Sequence, residues 1–283
     1  MLISGFTKIV GVFGNPISHS ASPRMHNRMY AEQGIDFVFV PLLVDPSEIG
    51  NAVKSIRALN FAGVNVTIPF KETVIPHLDA VSSFAERVGA VNTIVNENGS
   101  LVGYNTDGEG FLYALKEDGQ FDPKNKRVVI LGAGGSSKSI AHVLLDAGVN
   151  QLAVWNRTLQ RSQALVSNLS AQNSGNVVCL TDDSLQEAIS SCDLLINTTS
   201  VGMAPEINAL PISSLAAIGA HHFVYDVIYT PAETALLREA RQLGAKTLNG
   251  LGMLAAQGML AYTRFTGKEA SFDFMKSAIG EDL

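Results

Sequence analysis

The stretch VVILGAGGSSKSIAHVLL, residues 128–145, constrains the fold of this chain more than any other feature. Gly132, Gly134 and Gly135 follow an apolar run typical of a strand and precede a pattern typical of a helix. A turn this tight needs residues without Cβ, and a pyrophosphate needs the close backbone approach that glycine allows. The free N–H groups at the start of the helix favour an anion. The stretch predicts a dinucleotide-binding turn, although glycines at this spacing also occur in ordinary strand–turn–helix units.

Apolar strand-like runs alternate with helix-like stretches along the chain, a pattern typical of an α/β protein. The second part contains six predicted strands, the number in a doubly wound dinucleotide-binding sheet, at 127–131, 151–155, 177–180, 193–198, 222–228 and 245–248. The first part contains predicted strands at 8–13, 37–44, 63–68 and 90–95 and predicted helices at 22–34 and 46–60. Ser22 is predicted to cap the first helix. Further helices are expected at 106–119, 250–265 and 269–279.

Composition excludes several classes of protein. With 283 residues, the chain has room for roughly two domains of about 150 residues each. The formal net charge is −6 and no run of like charge occurs, so nucleic-acid binding is not expected. Cys179 and Cys192 form no CxxC pair, so neither a disulfide framework nor a metal site is expected, and a cytoplasmic location fits. No apolar run reaches the roughly 18 residues of a membrane span.

The residues after the second strand of the glycine-containing unit indicate which cofactor binds. NAD-binding units place an acidic residue there to hold the ribose 2′-hydroxyl. This chain has Asn156, Arg157 and Thr158 instead, followed by Arg161. A guanidinium can bind a 2′-phosphate through charge-assisted hydrogen bonds, whereas a carboxylate would repel it. The sequence favours NADP over NAD, with a solvated helix start as the alternative.

Four polar clusters interrupt the apolar strands of the first part, each at the predicted end of a strand: 15–23, 65–71, 89–93 and 103–108. Ligands of α/β sheets bind at the carboxyl ends of strands, so these clusters are expected to converge. Their hydroxyl, amide, lysine and carboxylate groups suit a small polyhydroxylated substrate. Each residue alone is more often a cap, a turn residue or a surface charge. The spacing of Lys71 and Asp107 does not show that they meet.

Nine segments, taken in order, resemble the shikimate dehydrogenase family. They are GNPISHSASPRMHN (14–27), NVTIPFKE (65–72), GAVNT (89–93), NTDG (105–108), GAGGSS (132–137), NRTLQR (156–161), NTTSVGM (197–203), YDVIYTP (225–231) and GLGMLAAQG (250–258). The resemblance covers nearly the whole chain. It implies a two-domain α/β fold, in which residues 1–105 and 250–283 form an N-terminal α/β substrate domain and residues 106–249 form a doubly wound Rossmann-type NADP-binding domain. The C-terminal helices would return to the first domain.

The resemblance also implies the roles of individual residues. Lys71 would be the general acid/base and Asp107 its partner. The substrate carboxylate would be held by Ser20 and Ser22. The ring-hydroxyl pocket would be lined by Thr67, Asn92, Tyr229 and Gln257, with Asp107. NADP(H) would contact Gly132, Ala133, Gly134, Gly135, Ser136, Asn156, Arg157, Thr158, Arg161, Val227 and Gly250.

The family reaction is the reversible NADPH-dependent reduction of 3-dehydroshikimate to shikimate in aromatic amino-acid biosynthesis. Such an enzyme would work as a monomer or homodimer on a small-molecule substrate. The chain departs from the family where Ser136 and Ser137 replace a small apolar pair and where Val227 replaces a frequent Met. Both departures are expected to tune cofactor affinity.

Three alternatives stay open. The first is a quinate/shikimate dehydrogenase with broader substrate and cofactor use. The second is another dehydrogenase on the same scaffold, such as a methylenetetrahydrofolate dehydrogenase. The third is a non-catalytic NADP-sensing protein, although such a protein could lose the acid/base pair that this chain keeps.

Overall fold

The computed structural model describes residues 3–172 and 176–280. The chain divides into two compact units, Met1–Gly110 with Leu254–Asp282, and Phe111–Met253. In the described part of the chain, no helix has the length and apolar character needed to cross a bilayer.

The first unit is built on a six-stranded mixed sheet. Its strands are β1 (Lys8–Gly14), β2 (Phe37–Leu43), β3 (Gly63–Val66), β4 (Ala80–Val81), β5 (Thr93–Glu97) and β6 (Ser100–Tyr104), in the order β2-β1-β3-β5-β6-β4. β1, β2 and β3 are parallel, whereas β5 runs antiparallel to β3 and to β6. β1 is buried from Val10 onward and reads there as an apolar run in the sequence, whereas the buried strand β3 also contains the polar Asn65.

Two strands of this sheet were not predicted, and the strand predicted at 90–95 begins three residues later, at Thr93. β4 has only two residues, too few for a periodic signal. β5 and β6 form a hairpin whose turn contains Asn98 and Gly99, with φ of 55° and 95°. An Asn-Gly pair between apolar runs is a known hairpin signal, and it could have revealed β6.

The helices of the first unit follow the predicted pattern, except that the short helix at Ser83–Val88 was not predicted and the cap of the first helix differs. They are α1 (Ser22–Glu32), α2 (Ile49–Ala58, preceded by a 3₁₀ turn at Pro46–Glu48) and α3 (Ser83–Val88), with α4 (Asp107–Glu117) and α9 (Leu251–Thr266) reaching into it and α10 (Phe272–Gly280) near the C-terminus. The prediction that Ser22 caps α1 is wrong. The N-cap is Ala21 in helical geometry without a side-chain hydrogen bond, and Ser22 is the first helical residue.

The second unit contains the predicted doubly wound parallel sheet. Its strands are β7 (Arg127–Leu131), β8 (Gln151–Trp155), β9 (Val177–Cys179), β10 (Leu194–Asn197), β11 (Phe223–Asp226) and β12 (Lys246–Leu248). Their order, β12-β11-β10-β7-β8-β9, places the start of the unit at the centre of the sheet, as in dinucleotide-binding folds. The remaining helices are α5 (Gly135–Asp146), α6 (Leu159–Gln172), α7 (Asp182–Ser191) and α8 (Ala235–Gln242). All six predicted strands are confirmed.

Each unit has its own apolar core. One core cluster of the first unit packs α2 side chains such as Val53 and Ile56 against Val64 and Ile94 of the sheet. The corresponding cluster of the second unit includes Leu131, Leu195 and Val224 from the neighbouring strands β7, β10 and β11. The polar clusters predicted from the sequence thus lie at the ends of strands whose middle parts are packed in a core.

Candidate functional site

The four polar clusters of the first unit lie at one edge of its sheet. β1 and β3 are parallel neighbours, and the loops carrying Ser20 and Thr67 leave their carboxyl ends. Asn92 precedes β5, so the prediction that its cluster ends a strand is wrong. It reaches the same edge because β5 is antiparallel to β3. Asp107 follows β6, which runs antiparallel to β5, and it lies at this edge as well.

Lys71 and Asp107 form an ion pair although 36 positions separate them in sequence. Lys71 Nζ donates to Asp107 Oδ2 at 2.6 Å. The two side chains are only 15% and 7% exposed, so little water screens the pair. The backbone of Lys71 is held by Val91, whose N–H donates to its carbonyl at 2.7 Å. Asp107 is the first residue of α4, where the helix N-terminus favours a carboxylate.

The other oxygen of the carboxylate is held by a buried amide. Asn92 Nδ2 donates to Asp107 Oδ1 and to Thr106 Oγ1, both at 2.9 Å. Asn92 Oδ1 accepts from the Thr106 N–H at 2.8 Å and from Thr93 Oγ1 at 3.0 Å. All four hydrogen-bonding positions of the amide therefore meet protein partners, and Asp107 accepts from a different donor on each oxygen.

Gln257 lies close to Thr106 and to the first turns of α4. Thr106 Oγ1 donates to the Gln257 carbonyl at 3.1 Å. A Cβ on Gly110 would lie 2.6 Å from the Gln257 backbone nitrogen, so only glycine permits this approach of α4 and α9. The half-buried side chain of Gln257 donates from Nε2 to the Leu254 carbonyl at 2.8 Å.

Ser20 lies in the loop after β1 and Ser22 begins α1, and the Ser22 N–H approaches Ser20 Oγ at 3.4 Å. Thr67 is half-buried beside Gly14, and a Cβ on Gly14 would lie 2.6 Å from Thr67 Cγ2. The Thr67 N–H donates to the Phe13 carbonyl at 2.9 Å, which ties its turn to β1. The hydroxyl groups of these loops thus follow neighbouring strands.

The glycine turn of the second unit has the geometry of a phosphate cradle. Gly132 has a φ of +114°, which disfavours other residues, and a Cβ there would lie 2.5 Å from Thr198 Oγ1. Gly134 is the N-cap of α5, and a Cβ on it would meet no atom within 4 Å. The first turn of α5, which begins with Gly135 and Ser136, contains no acidic residue. These N–H groups and the helix dipole suit a pyrophosphate.

Ser137, which departs from the family pattern, is fully buried below this turn. Its Oγ accepts from the Gly134 N–H at 3.2 Å and lies 2.5 Å from Thr198 Oγ1. Because Thr198 Oγ1 donates to the Leu131 carbonyl at 2.8 Å, the Ser137 hydroxyl donates to Thr198. The hydroxyl is therefore satisfied on both sides.

The residues predicted to select the cofactor follow β8. Arg157, Thr158 and Arg161 are exposed around the start of α6, and Asn156 Nδ2 donates to the Thr158 carbonyl at 2.9 Å. The first turn of α6 contains no acidic residue. Neither arginine has an ion-pair partner within the described residues. Two unengaged guanidinium groups without a competing carboxylate suit a 2′-phosphate.

Val227, Tyr229 and Gly250 belong to the second unit, in the segments after β11 and β12. A Cβ on Gly250 would lie 1.9 Å from the Val227 carbonyl oxygen, so only glycine fits. The Gly250 N–H donates to the Ile228 carbonyl at 3.0 Å. Tyr229 is half-buried, and this burial raises the pKa of its phenol. The two segments are thus joined backbone to backbone.

Asp226 supports these segments and was missed by the sequence analysis. Its carboxylate accepts from Asn197 Nδ2 at 3.0 Å, the Ile228 N–H at 3.1 Å and Thr234 Oγ1 at 2.7 Å. Burial raises the pKa of the carboxyl to about 6, although the three hydrogen bonds lower it. An aspartate inside the apolar run 222–228 was the available signal, because a buried charge needs a dedicated set of partners.

Models of known protein families match the chain in three segments. The "Shikimate dehydrogenase substrate binding domain" matches residues 12–94, and "Shikimate / quinate 5-dehydrogenase" matches residues 114–208. The "Shikimate 5'-dehydrogenase C-terminal domain" matches residues 250–279. The first match contains Lys71, whereas Asp107 lies between the first and second matched segments.

Individual relatives match over nearly the whole length. The "Shikimate dehydrogenase (NADP(+))" of Moorella thermoacetica is 42% identical over 283 residues, covering 99% of this chain and 95% of its own. The crystal structure of shikimate 5-dehydrogenase from Listeria monocytogenes, in complex with shikimate and NAD, has a TM-score of 0.91 at 36% identity and covers 97% of each chain. The Thermus thermophilus enzyme, in complex with NADP(H) and shikimate, has a TM-score of 0.88 at 35% identity, covering 98% of this chain and 100% of its own.

Proposed function

The chain belongs to the shikimate dehydrogenase family, and we propose that it catalyses the reversible NADPH-dependent reduction of 3-dehydroshikimate to shikimate, a step of aromatic amino-acid biosynthesis. It is then an NADP-dependent oxidoreductase acting on a CH–OH group. The observation that carries the proposal is the buried ion pair between Lys71 and Asp107. It supplies a proton-transfer group at a sheet edge lined with hydroxyl and amide side chains.

Lys71 is the general acid and base in this proposal. When bound, NADP(H) supplies the hydride for reduction or accepts it during oxidation. The carbonyl oxygen of 3-dehydroshikimate gains charge during reduction, and the Lys71 ammonium stabilises it and donates a proton from Nζ. In the reverse direction, neutral Lys71 accepts the proton. Asp107, 2.6 Å from Nζ, orients the amine. A positioned acid/base contributes about 10²–10⁴-fold to the rate.

The substrate is held by the loops at the same sheet edge. We assign the carboxylate to the hydroxyl groups of Ser20 and Ser22, and the ring hydroxyl groups to the pocket residues Thr67, Asn92, Asp107, Tyr229 and Gln257. Asn92 also holds Asp107 through the 2.9 Å hydrogen bond from Nδ2. Its contribution to the pocket therefore includes fixing the carboxylate that faces Lys71.

The cofactor is NADP(H), bound by the second unit. The glycine turn from Gly132 to Ser136 would hold the pyrophosphate, and the segment from Asn156 to Arg161 would hold the 2′-phosphate. Val227 and Gly250 complete the cofactor contacts. The absence of an acidic residue from the first turns of α5 and α6 supports this assignment.

The organisation of the chain follows from these assignments. Residues 1–105 and 250–283 form the substrate domain, and residues 106–249 form the NADP-binding domain. The protein works in the cytoplasm as a monomer or a homodimer. Its two cysteines are free thiols, which supports a reducing compartment.

The proposal is tested by offering shikimate and quinate, each with NADP⁺ and NAD⁺, and recording the absorbance of the reduced nicotinamide. Strong turnover with shikimate and NADP⁺ alone is the expected result. Similar efficiency with quinate or NAD⁺ would instead make the protein a quinate/shikimate dehydrogenase of broader use. Tight NADPH binding without turnover of either substrate would favour an NADP-sensing protein.

A further inference from the structure

Two buried residues behind the ion pair extend its hydrogen bonds into the sheet. Asn65 of β3 and Thr93 of β5 are cross-strand partners, and both side chains are buried. Asn65 Nδ2 donates to Thr93 Oγ1 at 2.9 Å and to the Asn92 carbonyl at 3.2 Å. Thr93 Oγ1 lies 3.0 Å from Asn92 Oδ1 and donates to it. A continuous chain of hydrogen bonds thus leads from β3 to the Asp107 carboxylate.

The donor-to-acceptor direction of this series of hydrogen bonds is set at Asn65. An amide nitrogen only donates, so Thr93 Oγ1 accepts from Asn65 and its single hydrogen is left for Asn92 Oδ1. The Thr106 N–H donates to the same oxygen at 2.8 Å. Two donors therefore hold Asn92 Oδ1 on the side of the sheet, and Nδ2 faces Asp107.

The orientation of Asn92 matters because its two ends have opposite effects on a carboxylate. As the amide stands, Nδ2 donates to Asp107 Oδ1. A reversed amide would place Oδ1 against the carboxylate and would remove one of the two donors that fix it. Asp107 would then turn about its remaining bond to Lys71, and Nζ would lose its fixed position.

We propose that Thr93 is a positioning residue of the reaction. Its hydroxyl accepts a hydrogen bond from Asn65 and donates one to Asn92, and it thereby orients Asn92 and, through Asn92, also Asp107 and Lys71. This inference rests on the proposed function, in which Lys71 moves the proton. Thr93 is 0% exposed, so it acts without touching the substrate. Loss of its hydroxyl affects the chemical step and leaves cofactor binding, a property of the second unit, unchanged.

The test compares Thr93→Val with Thr93→Ser. Valine has the shape of threonine and lacks the hydroxyl, whereas serine keeps the hydroxyl and lacks the methyl group. For shikimate oxidation, we expect Thr93→Val to lower kcat by up to roughly tenfold, the upper end for the loss of one hydrogen bond between uncharged groups. The KM for NADP⁺ is expected to change less than about twofold, and Thr93→Ser is expected to recover most of the kcat.

The matched control is Thr263→Val, which removes a partly buried hydroxyl that donates only to the Met259 carbonyl within α9. This control is expected to keep the kcat of the parent protein. Circular dichroism shows whether each variant is folded. Should Thr93→Val fail to fold, Asn65→Ala takes its place, because it removes the donor to Thr93 and should lower kcat in the same way.

The outcomes separate this inference from the proposed function. Absence of shikimate oxidation by the parent protein would refute the proposed function itself. An active parent with an equally active, folded Thr93→Val variant would overturn the role of Thr93. A kcat as low in Thr93→Ser as in Thr93→Val would also overturn it, because packing of the methyl group would then explain the loss.

Discussion

His26 makes the stability of the chain sensitive to acid. Its ring is fully buried in the first unit and stacks on Phe39, with 4.4 Å between the ring centroids and 17° between the planes. Neither ring nitrogen has a hydrogen-bond partner among the described residues. Burial lowers the pKa of His26 to about 3, from the ordinary value of 6.5. The folded protein therefore keeps this imidazole neutral where the unfolded chain protonates it.

The sign and size of the effect follow from linkage. Below pH 6.5 His26 binds a proton in the unfolded state, whereas in the folded state it stays unprotonated down to about pH 3. Above pH 6.5 the neutral His26 leaves the free energy of unfolding at its full value. As the pH falls from 6.5 toward 3, that free energy decreases by about 1.4 kcal/mol per pH unit. Between pH 6.5 and 5, His26 therefore lowers the free energy of unfolding by about 2 kcal/mol.

Asp226 acts in the opposite direction, so wild-type stability alone does not isolate His26. The pKa of its buried carboxyl is raised to about 6, and the folded state gains stability as the pH falls below that value. A comparison between variants cancels this contribution, because both proteins keep Asp226.

The assay is urea unfolding followed by circular dichroism at pH 7.5 and pH 5, for the parent and for His26→Phe. Phenylalanine retains a ring against Phe39 and does not titrate. We expect the variant to lose about 2 kcal/mol less than the parent between the two pH values. The control is His19→Ala, which removes an exposed histidine. Equal losses in the parent and His26→Phe would refute the reasoning.

Three further predictions concern the site. Lys71→Ala is expected to lower kcat by about 10²–10⁴-fold with a smaller change in KM, measured by steady-state kinetics; near-normal turnover would contradict its role as acid/base. Arg157→Ala is expected to raise the KM for NADP⁺ about tenfold and to leave the KM for NAD⁺ nearly unchanged, because the proposed contact of the guanidinium is with the 2′-phosphate, which NAD⁺ lacks; equal changes with both cofactors would argue against that contact. Trp155 ends β8, and its Nε1 donates to Asp182 Oδ1 at 2.8 Å. Its fluorescence is expected to change on NADPH binding, and a constant signal at saturation would place the adenosine end of the cofactor elsewhere.

Local patterns were sufficient to predict most elements. The six strands of the second sheet were predicted because each buried parallel strand is an apolar run bounded by turns. The glycine turn was predicted because only glycine adopts the φ of +114° at Gly132. A doubly wound sheet was expected from the number of strands and the glycine turn that follows the first of them. These properties depend on neighbours in sequence, which is why a sequence determines them by itself.

The directions of the strands in the first sheet were decided by tertiary structure. Asn92 was expected to follow a strand, and it reaches the site because β5 is antiparallel. The hairpin of β5 and β6 also brings Asp107 to the edge where Lys71 lies. An apolar run does not show the direction in which a strand enters the sheet, since side chains alternate in the same way in both directions.

The hydrogen bonds of the site likewise required the tertiary structure. Family resemblance named Lys71 and Asp107 as partners, but the 2.6 Å contact, the four-fold bonding of Asn92 and the support from Asn65 and Thr93 are not visible in their spacing. Sequence alone determined which chemical groups the chain has and which local elements carry them. Packing decided which groups meet, because a buried polar group takes its partners from whichever strands and helices fold around it.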